Sequence, residues 1–228
     1  MEPGLRARSH YPGLSTTQLL RSAVNLAAEI TRFRDAETGL HLARVSQYAS
    51  LIARSLPTTQ GVDEEFIDDL SSFASAHDVG KVAIPDHVLL KQGALEPAEL
   101  EIMKSHVASG VAVVEGLIRD FDPGGTARVS MLRNIVRSHH EFLDGSGYPD
   151  GLTAEQIPLE ARIVAVADVF DALTSDRPYK ETWSLDEAFG FLLEGKGTKF
   201  DAACVAAFES CASDVASIRQ RFAETAAG

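Results

Sequence analysis

Cysteine is scarce in this chain, with two residues in 228. Cys204 and Cys211 stand one heptad apart, a spacing that fits neither a zinc ribbon nor a redox C-x-x-C pair, so both read as reduced residues packed on a late helix of a cytoplasmic protein. Positive charge is also short. Twenty-one Lys and Arg face thirty-three Asp and Glu, for a formal net charge of -12. Such a balance excludes a DNA-binding surface, which needs clustered cations, and requires any small anionic ligand to be met by local ones. No apolar run approaches the length of a membrane span, and Met1 to Ser15, with Pro3, Gly4, Pro12 and Gly13, lacks the apolar core of a signal peptide. No membrane association is expected, and residues 1–15 read as a loose tail. Strand-type alternation is almost missing as well. What is present is helical periodicity nearly throughout, so the fold class is all-α, and one domain suits this length and a 45% hydrophobic content.

In chain order, a first helix is predicted from Thr16 to about Arg34, with Leu19, Leu20, Ala23, Leu26, Ala27, Ile30 and Phe33 as its apolar stripe. Core packing and homodimerisation are both open for it. A second helix covers Leu40 to Leu56, and a third runs from Asp63 to about Asp78. A packed loop through Pro85 follows. One long helix then extends from Pro97 past His106 to Leu117, and another from Val129 to about His140. Pro158 opens the most apolar helix, Ser184 and Glu187 form a capping box for the next, and Phe200 to Phe222 makes the last.

Onto this frame the chain places ligand-type residues. His77 and Asp78 are adjacent, so their side chains diverge by about 100° on a helix and converge only on something small between them, such as a metal ion. A carboxylate has two oxygens, and Asp78 could therefore bridge two ions. Glu37 and His41 are four apart, a pair that on its own reads as a capping carboxylate and an exposed ring. His106 falls in an apolar stripe, where a lone histidine is more often core than ligand. His139-His140 directly precedes the glycine-rich turn Asp144-Gly145-Ser146-Gly147-Tyr148-Pro149, which suits the rim of a cleft. Asp168 and Asp171 sit three apart in a hydrophobic run, costly to bury without a cation. Arg177 and Lys180, on a stretch stiffened by Pro178, suit phosphate binding. His87, among apolar neighbours, is left out. The set Glu37, His41, His77, Asp78, His106, His139, His140 and Asp168 exceeds what one ion can hold. Two or three divalent ions are expected, Fe or Mn first and Ni or Zn after them, with a metal-activated water as nucleophile.

These strings, from His77-Asp78-Val79-Gly80-Lys81 through His139-His140-Glu141 and Asp144-Gly145-Ser146-Gly147-Tyr148-Pro149 to Asp168-Val169-Phe170-Asp171-Ala172-Leu173-Thr174-Ser175-Asp176-Arg177-Pro178-Tyr179-Lys180, resemble the HD-GYP subgroup of the HD-domain phosphohydrolases. The resemblance implies a helical bundle with the metal site in its core, spanning 37–222 after an N-terminal helix at 16–36 and before a frayed end at 223–228. It implies a cyclic di-GMP phosphodiesterase that yields pGpG and, in some members, GMP. His41, His77, Asp78 and Asp168 match the shared metal core, His106, His139 and His140 the ligands that extend it, and Glu37 the carboxylate of three-metal members. Asp78 and Lys81 are then the catalytic pair, Lys81 lying near the scissile phosphate. Tyr148 matches a ring beside a guanine, and Arg177 and Lys180 match phosphate contacts. Asp171 is assigned to the substrate side with them. Phe142 and Leu143 stand where the family commonly has Arg and Trp, which puts a polar contact in doubt.

The chain shows no receiver-type alternation of strands and helices, so it is a stand-alone enzyme, a chain regulated through its first helix, or the output part of a longer protein with its own signalling partners. A degenerate sensor or interaction module would first lose ligands, and none is lost here. A di-iron oxygenase of the HD type would have no use for Arg177 and Lys180.

Overall fold

The computed structural model describes residues 15–34, 38–121, 127–175 and 182–226. These form eleven α-helices: α1 Thr16–Arg34, α2 Thr38–Ser55, α3 Glu64–Phe73, α4 Asp86–Leu89, α5 Pro97–Lys104, α6 His106–Phe121, α7 Ala127–Ser138, α8 Leu159–Thr174, α9 Leu185–Glu194, α10 Ala202–Ser210 and α11 Ala212–Ala226. Among the described residues there is no strand beyond two isolated bridges, Asp144 with Thr153 and Lys196 with Phe200. None of these helices is long and apolar enough to cross a membrane.

The bundle is built around α2, which packs against α8, α3, α10 and α11. Val45, Tyr48, Ala49 and Ile52 are fully buried on it. Their i, i+3, i+4, i+7 spacing gives one helix face wide enough to serve several neighbours. Its partner α8 carries Ile163, Val164, Val166, Ala167 and Phe170 with no exposure, a helix apolar nearly all round and therefore central. Between them lies an aromatic group in which Phe170 meets Tyr48, Phe208 and Phe189 at centroid separations of 4.8–5.6 Å. Burying each such ring contributes about 1.5–3 kcal/mol. This packing fixes the face from which His41 on α2 and Asp168 on α8 project.

Four boundaries depart from the sequence reading. The third helix ends at Phe73 and passes through a 3-10 turn at Ala74–Ala76, so His77 and Asp78 sit in a turn. The helix predicted as continuous from Pro97 breaks at Ser105, whose hydroxyl bonds the Ile102 carbonyl in competition with the helix ladder. His106 becomes the first residue of α6. The helix from Val129 stops at Ser138, which leaves His139 and His140 beyond it. The last predicted helix divides at Cys211 into α10 and α11. Both cysteines are free and buried. The capping box at Ser184 and Glu187 forms as expected.

The apolar stripe of α1 needs a correction of a different kind. Leu20, Val24 and Ala28 are the buried residues, the last two outside the stripe as read, while Leu26, Ile30 and Phe33, open between core packing and dimerisation, are exposed.

Candidate metal centre

Five imidazoles and two carboxylates converge at one end of the α2–α8 contact. They form two donor groups, Asp78, His106, His139 and His140 in one and His41, His77 and Asp168 in the other, with the ligand atoms of each group within 4.8 Å of one another. Asp78 joins the groups. Its Oδ1 lies 3.3 Å from His106 Nε2 and 3.8 Å from His139 Nε2, whereas its Oδ2 lies 3.4 Å from His77 Nε2 and 2.6 Å from Lys81 Nζ. In the second group, Asp168 Oδ1 is 3.4 Å from His41 Nε2 and 3.7 Å from His77 Nε2.

Backbone and side-chain acceptors decide which nitrogen faces the centre. His77 Nδ1 donates to the Ala74 carbonyl at 2.7 Å, His106 Nδ1 to Met103 at 2.7 Å and His139 Nδ1 to Ile135 at 3.0 Å. A carbonyl can only accept, so each Nδ1 carries the proton and each Nε2 presents its lone pair inward. His41 lies within a helix, and its Nδ1 is held at 2.8 Å by the Asp171 carboxylate instead. Asp171 is fully buried and is itself gripped by Arg44 at 2.6 and 2.8 Å. The assignment of Asp171 to substrate is thereby corrected. Three residues on an α-helix advance about 300°, a net offset of only about 60°, so Asp168 and Asp171 share a face of α8 and meet opposite nitrogens of the same His41 ring.

The site fits metal ions on an observation independent of residue type. Asp78 Oδ1, His106 Nε2 and His139 Nε2 are buried without a hydrogen-bond partner among the described residues. An unpaired buried acceptor costs about 1–3 kcal/mol, and three aimed at one point need a common cation. Protonation states agree. Burial pushes His139 well below the usual histidine range and His140 down to about 4, leaving both rings neutral and able to ligate. Burial likewise lowers His106. His77 is the exception: burial opposes its charged form, but Asp78 and Asp168 carry it up to about 9, so without an ion its Nε2 holds a second proton that a metal would displace. Burial would raise Asp78, yet Lys81, His77 and His106 hold its carboxyl well below the carboxylate range. Burial would also raise Asp171, and His41 and Arg44 bring it down to about 2.

Around this centre, Gly80 lets the 3-10 turn Val79–Ala83 lie directly on α6, since a Cβ there would stand 1.9 Å from the His106 carbonyl oxygen. That close approach sets Lys81 at the rim. Gly147 similarly folds the glycine-rich turn onto the His140–Phe142 backbone, where a Cβ would meet three backbone atoms at 2.5 Å. Glu141, buried, holds this turn by accepting from the amides of Asp150 and Leu152 at 2.7 and 2.9 Å. Tyr148 stacks on His140 at 4.6 Å, and Lys104 Nζ stands 5.5 Å from its ring centroid. Phe142 joins Phe200 in an edge contact and has Lys199 over its ring, a packing role that needs no arginine. Arg44, Glu141 and Lys104 are the neighbours that sequence reasoning missed. His87 is exposed and apart from the donor groups. Glu37, Arg177 and Lys180 lie outside the described residues.

Residues 32–204 match the family described as HD domain, three-quarters of the chain. The chain belongs to the HD-domain family. This HD domain is 45% identical over 185 residues to the cyclic di-GMP phosphodiesterase response regulator RpfG of Xanthomonas campestris pv. campestris, covering 81% of the chain and 46% of that protein. It is 38% identical over 174 residues to the 3'3'-cGAMP-specific phosphodiesterase 2 of Vibrio cholerae, covering 76% and 31%. The chain thus spans about half, or less, of the length of these relatives. Among solved structures, Bd1817, a HDG"Y"P protein from Bdellovibrio bacteriovorus, superposes with a TM-score of 0.56 over 88% of this chain and 74% of that one. At 18% identity, that likeness establishes the fold.

Proposed function

We propose that this chain is a metal-dependent phosphodiesterase that opens cyclic di-GMP to pGpG and, by a second cut, to GMP. The observation that carries the reading is the pair of donor groups joined by Asp78, with three buried donor atoms left unpaired among the described residues. Relatives named as cyclic di-GMP phosphodiesterases support the substrate. His41, His77, Asp78 and Asp168 would hold one ion and Asp78, His106, His139 and His140 another, with Fe or Mn preferred and Ni or Zn able to bind the same donors. Bound divalent ions would supply Lewis acidity, lowering the pKa of a water and neutralising phosphate charge. The chain's own residues do the rest. Asp78 ties the two groups into one rigid unit, Arg44 and Asp171 fix the His41 ring, and Lys81 offers its ammonium to the scissile phosphate from a turn that Gly80 seats on α6. Arg177 and Lys180 are assigned the remaining phosphate contacts, and Glu37 a third ion, from the sequence. The free buried cysteines suit a cytoplasmic enzyme.

A second reading, cyclic GMP-AMP as preferred substrate, is favoured by the relative of that specificity at 38% identity. Both are tested by anaerobic turnover with added Mn²⁺ or Fe²⁺, comparing kcat/KM for the two cyclic dinucleotides and identifying the products by chromatography. Metal-loaded protein that binds cyclic di-GMP without cleaving it would make the chain a sensor. A tenfold or greater preference for cyclic GMP-AMP would select the second reading. Arg177→Ala should raise KM for cyclic di-GMP about tenfold, the loss of one charge-assisted contact, while sparing a small aryl phosphodiester.

A further inference from the structure

Helix α1 has two apolar faces. The inner one, Leu20, Val24, Ala28 and the buried Thr31, packs onto the domain against α6, α3 and the Val79–Ala83 turn. The outer one consists of Leu19, Ala23, Leu26, Ile30 and Phe33, spaced alternately four and three residues apart. On it Leu26 is 63%, Ile30 51% and Phe33 83% exposed, and Leu19 and Ala23 are partly exposed. Single exposed apolar residues are ordinary on a protein surface, whereas five in a row along one helix mark an interaction face.

From this face we infer that α1 pairs with α1 of a second copy of the chain as a short parallel coiled coil. A 4-3-4-3 spacing is the a/d seam of a left-handed coiled coil and is not needed for packing onto the domain, which the inner face already performs. The register puts Leu19, Leu26 and Phe33 at d and Ala23 and Ile30 at a. Leucine at two of three d positions with β-branched Ile30 at a leans toward two parallel strands over higher assemblies. Glu29 then falls at g and Arg34 at e, five residues on, the pairing that links g of one helix to e of the other in a parallel dimer. The Arg34 guanidinium also serves the carbonyls of Val82 and Ile84 and the Asp86 carboxylate. With five donors it can serve a partner as well.

Size sets the strength. A Phe side chain offers roughly 150–250 Å² and Leu or Ile somewhat less, so the three most exposed residues present on the order of 350–450 Å² per helix. That is about half of the ~800 Å² per partner of a stable interface. The dimer is therefore reversible, with dissociation in the micromolar range. Because α1 is already helical and anchored by its inner face, pairing has no nucleation to overcome, which is what makes a two-heptad seam sufficient. Residues 1–14 are the competing occupant, and their sequence, with Pro3, Gly4, Pro12 and Gly13 among Arg6, Arg8 and His10, has no matching run of apolar residues at a/d spacing.

The test is sedimentation equilibrium of the full chain from low to high micromolar concentration, beside Leu26→Glu/Ile30→Glu and Ile30→Cys. Both positions are exposed, so the variants should keep wild-type circular dichroism. The wild type should move from monomer to dimer with concentration, and the double variant should weaken association at least about a hundredfold. Under mild oxidation Ile30→Cys should form a covalent dimer and wild type should not, since Cys204 and Cys211 are buried. Wild type that stays monomeric would overturn the inference, leaving the face to residues 1–14 or another protein, as would a dimer that survives the double substitution. Association lost in the double variant with no Ile30→Cys cross-link would overturn the parallel arrangement, because position 30 opposes position 23 in an antiparallel seam.

Discussion

Asp171→Asn separates two roles that the sequence alone could not. A carboxylate that contacts substrate should, when neutralised, raise KM and leave metal affinity alone. The structure instead places it behind His41, accepting from Nδ1 at 2.8 Å and bound by Arg44 at 2.6 and 2.8 Å, with no exposure of its own. Asparagine is nearly the same shape, but it replaces one acceptor oxygen by an NH₂ that must face either the His41 Nδ1–H or the Arg44 guanidinium, donor against donor. Two effects follow. His41 loses the partner that fixes its tautomer and ring orientation, which at outer-shell positions of metal sites typically costs 10–100-fold in affinity or activity. Arg44 loses the carboxylate it holds through two hydrogen bonds, and breaking a buried pair from one side costs up to about 3–5 kcal/mol. The assay has two arms. Metal affinity is measured by competition with a chromophoric chelator, and stability by urea unfolding of the metal-free protein. The expected result is a 10–100-fold weaker ion, a stability loss of a few kcal/mol, and an unchanged KM at saturating metal. Wild-type metal affinity with a raised KM would refute the reasoning and return Asp171 to the substrate.

Asp78→Ala should release both ions together while retaining helical circular dichroism, as elemental analysis of anaerobically purified protein would show; a variant that kept two metals would disprove the bridging role. Gly80→Ala cannot be accommodated, because its Cβ would lie 1.9 Å from the His106 backbone oxygen. Displacing the turn from α6 should cost about 1–3 kcal/mol or more in urea unfolding and move Asp78 and Lys81 together, so activity should fall even below the unfolding transition. Asp201 caps α10 through the amides of Ala203 and Cys204 and pairs with Arg162 at 2.5 Å. Burial alone would raise its carboxyl, but the Cys204 amide and Arg162 hold it below 3.8. Its contribution is therefore fully present above that value and lost as pH falls through the lower folded value. Asp201→Ala should destabilise by about 1–2 kcal/mol at neutral pH, and the difference from wild type should shrink in acid unfolding below about pH 4.

The donors of the centre were legible because histidines and carboxylates in apolar surroundings have few inexpensive explanations. Every described candidate ligand, from His41 through Asp168, occurs in one of the two donor groups. Arg44 was not legible, since an arginine three residues beyond His41 on α2 reads as an ordinary helix-surface cation until α8 brings Asp171 opposite it. Glu141 was visible in its string but gave no sign that it would turn inward to hold two amides of the following loop. For α1, helical periodicity found apolar residues without saying which face meets the domain. Leu20, Val24 and Ala28 compete with Leu19, Ala23, Leu26, Ile30 and Phe33 for that role, and long-range packing against α6 decides it. The breaks at Ser105 and Cys211 carry no proline or glycine to announce them.

Those breaks explain how the centre is assembled. His77, His106 and His139 all stand at or just beyond a helix end, and each gives its Nδ1 proton to a carbonyl three or four residues back, that of Ala74, Met103 or Ile135. Carbonyls in a last turn lack the full set of intrahelical partners, and each keeps a second lone pair even where a backbone amide already uses the first. Ending a helix at a histidine therefore supplies, without any further side chain, the acceptor that fixes the tautomer and turns Nε2 inward. His41 cannot use this device, because α2 opens at Thr38, three residues before it, rather than ending there. A side-chain acceptor must come from elsewhere, and a buried carboxylate must in turn be neutralised. This accounts for the Arg44–Asp171 pair behind His41, in the first turn of α2, and it makes His41 the imidazole most sensitive to substitutions outside the donor set.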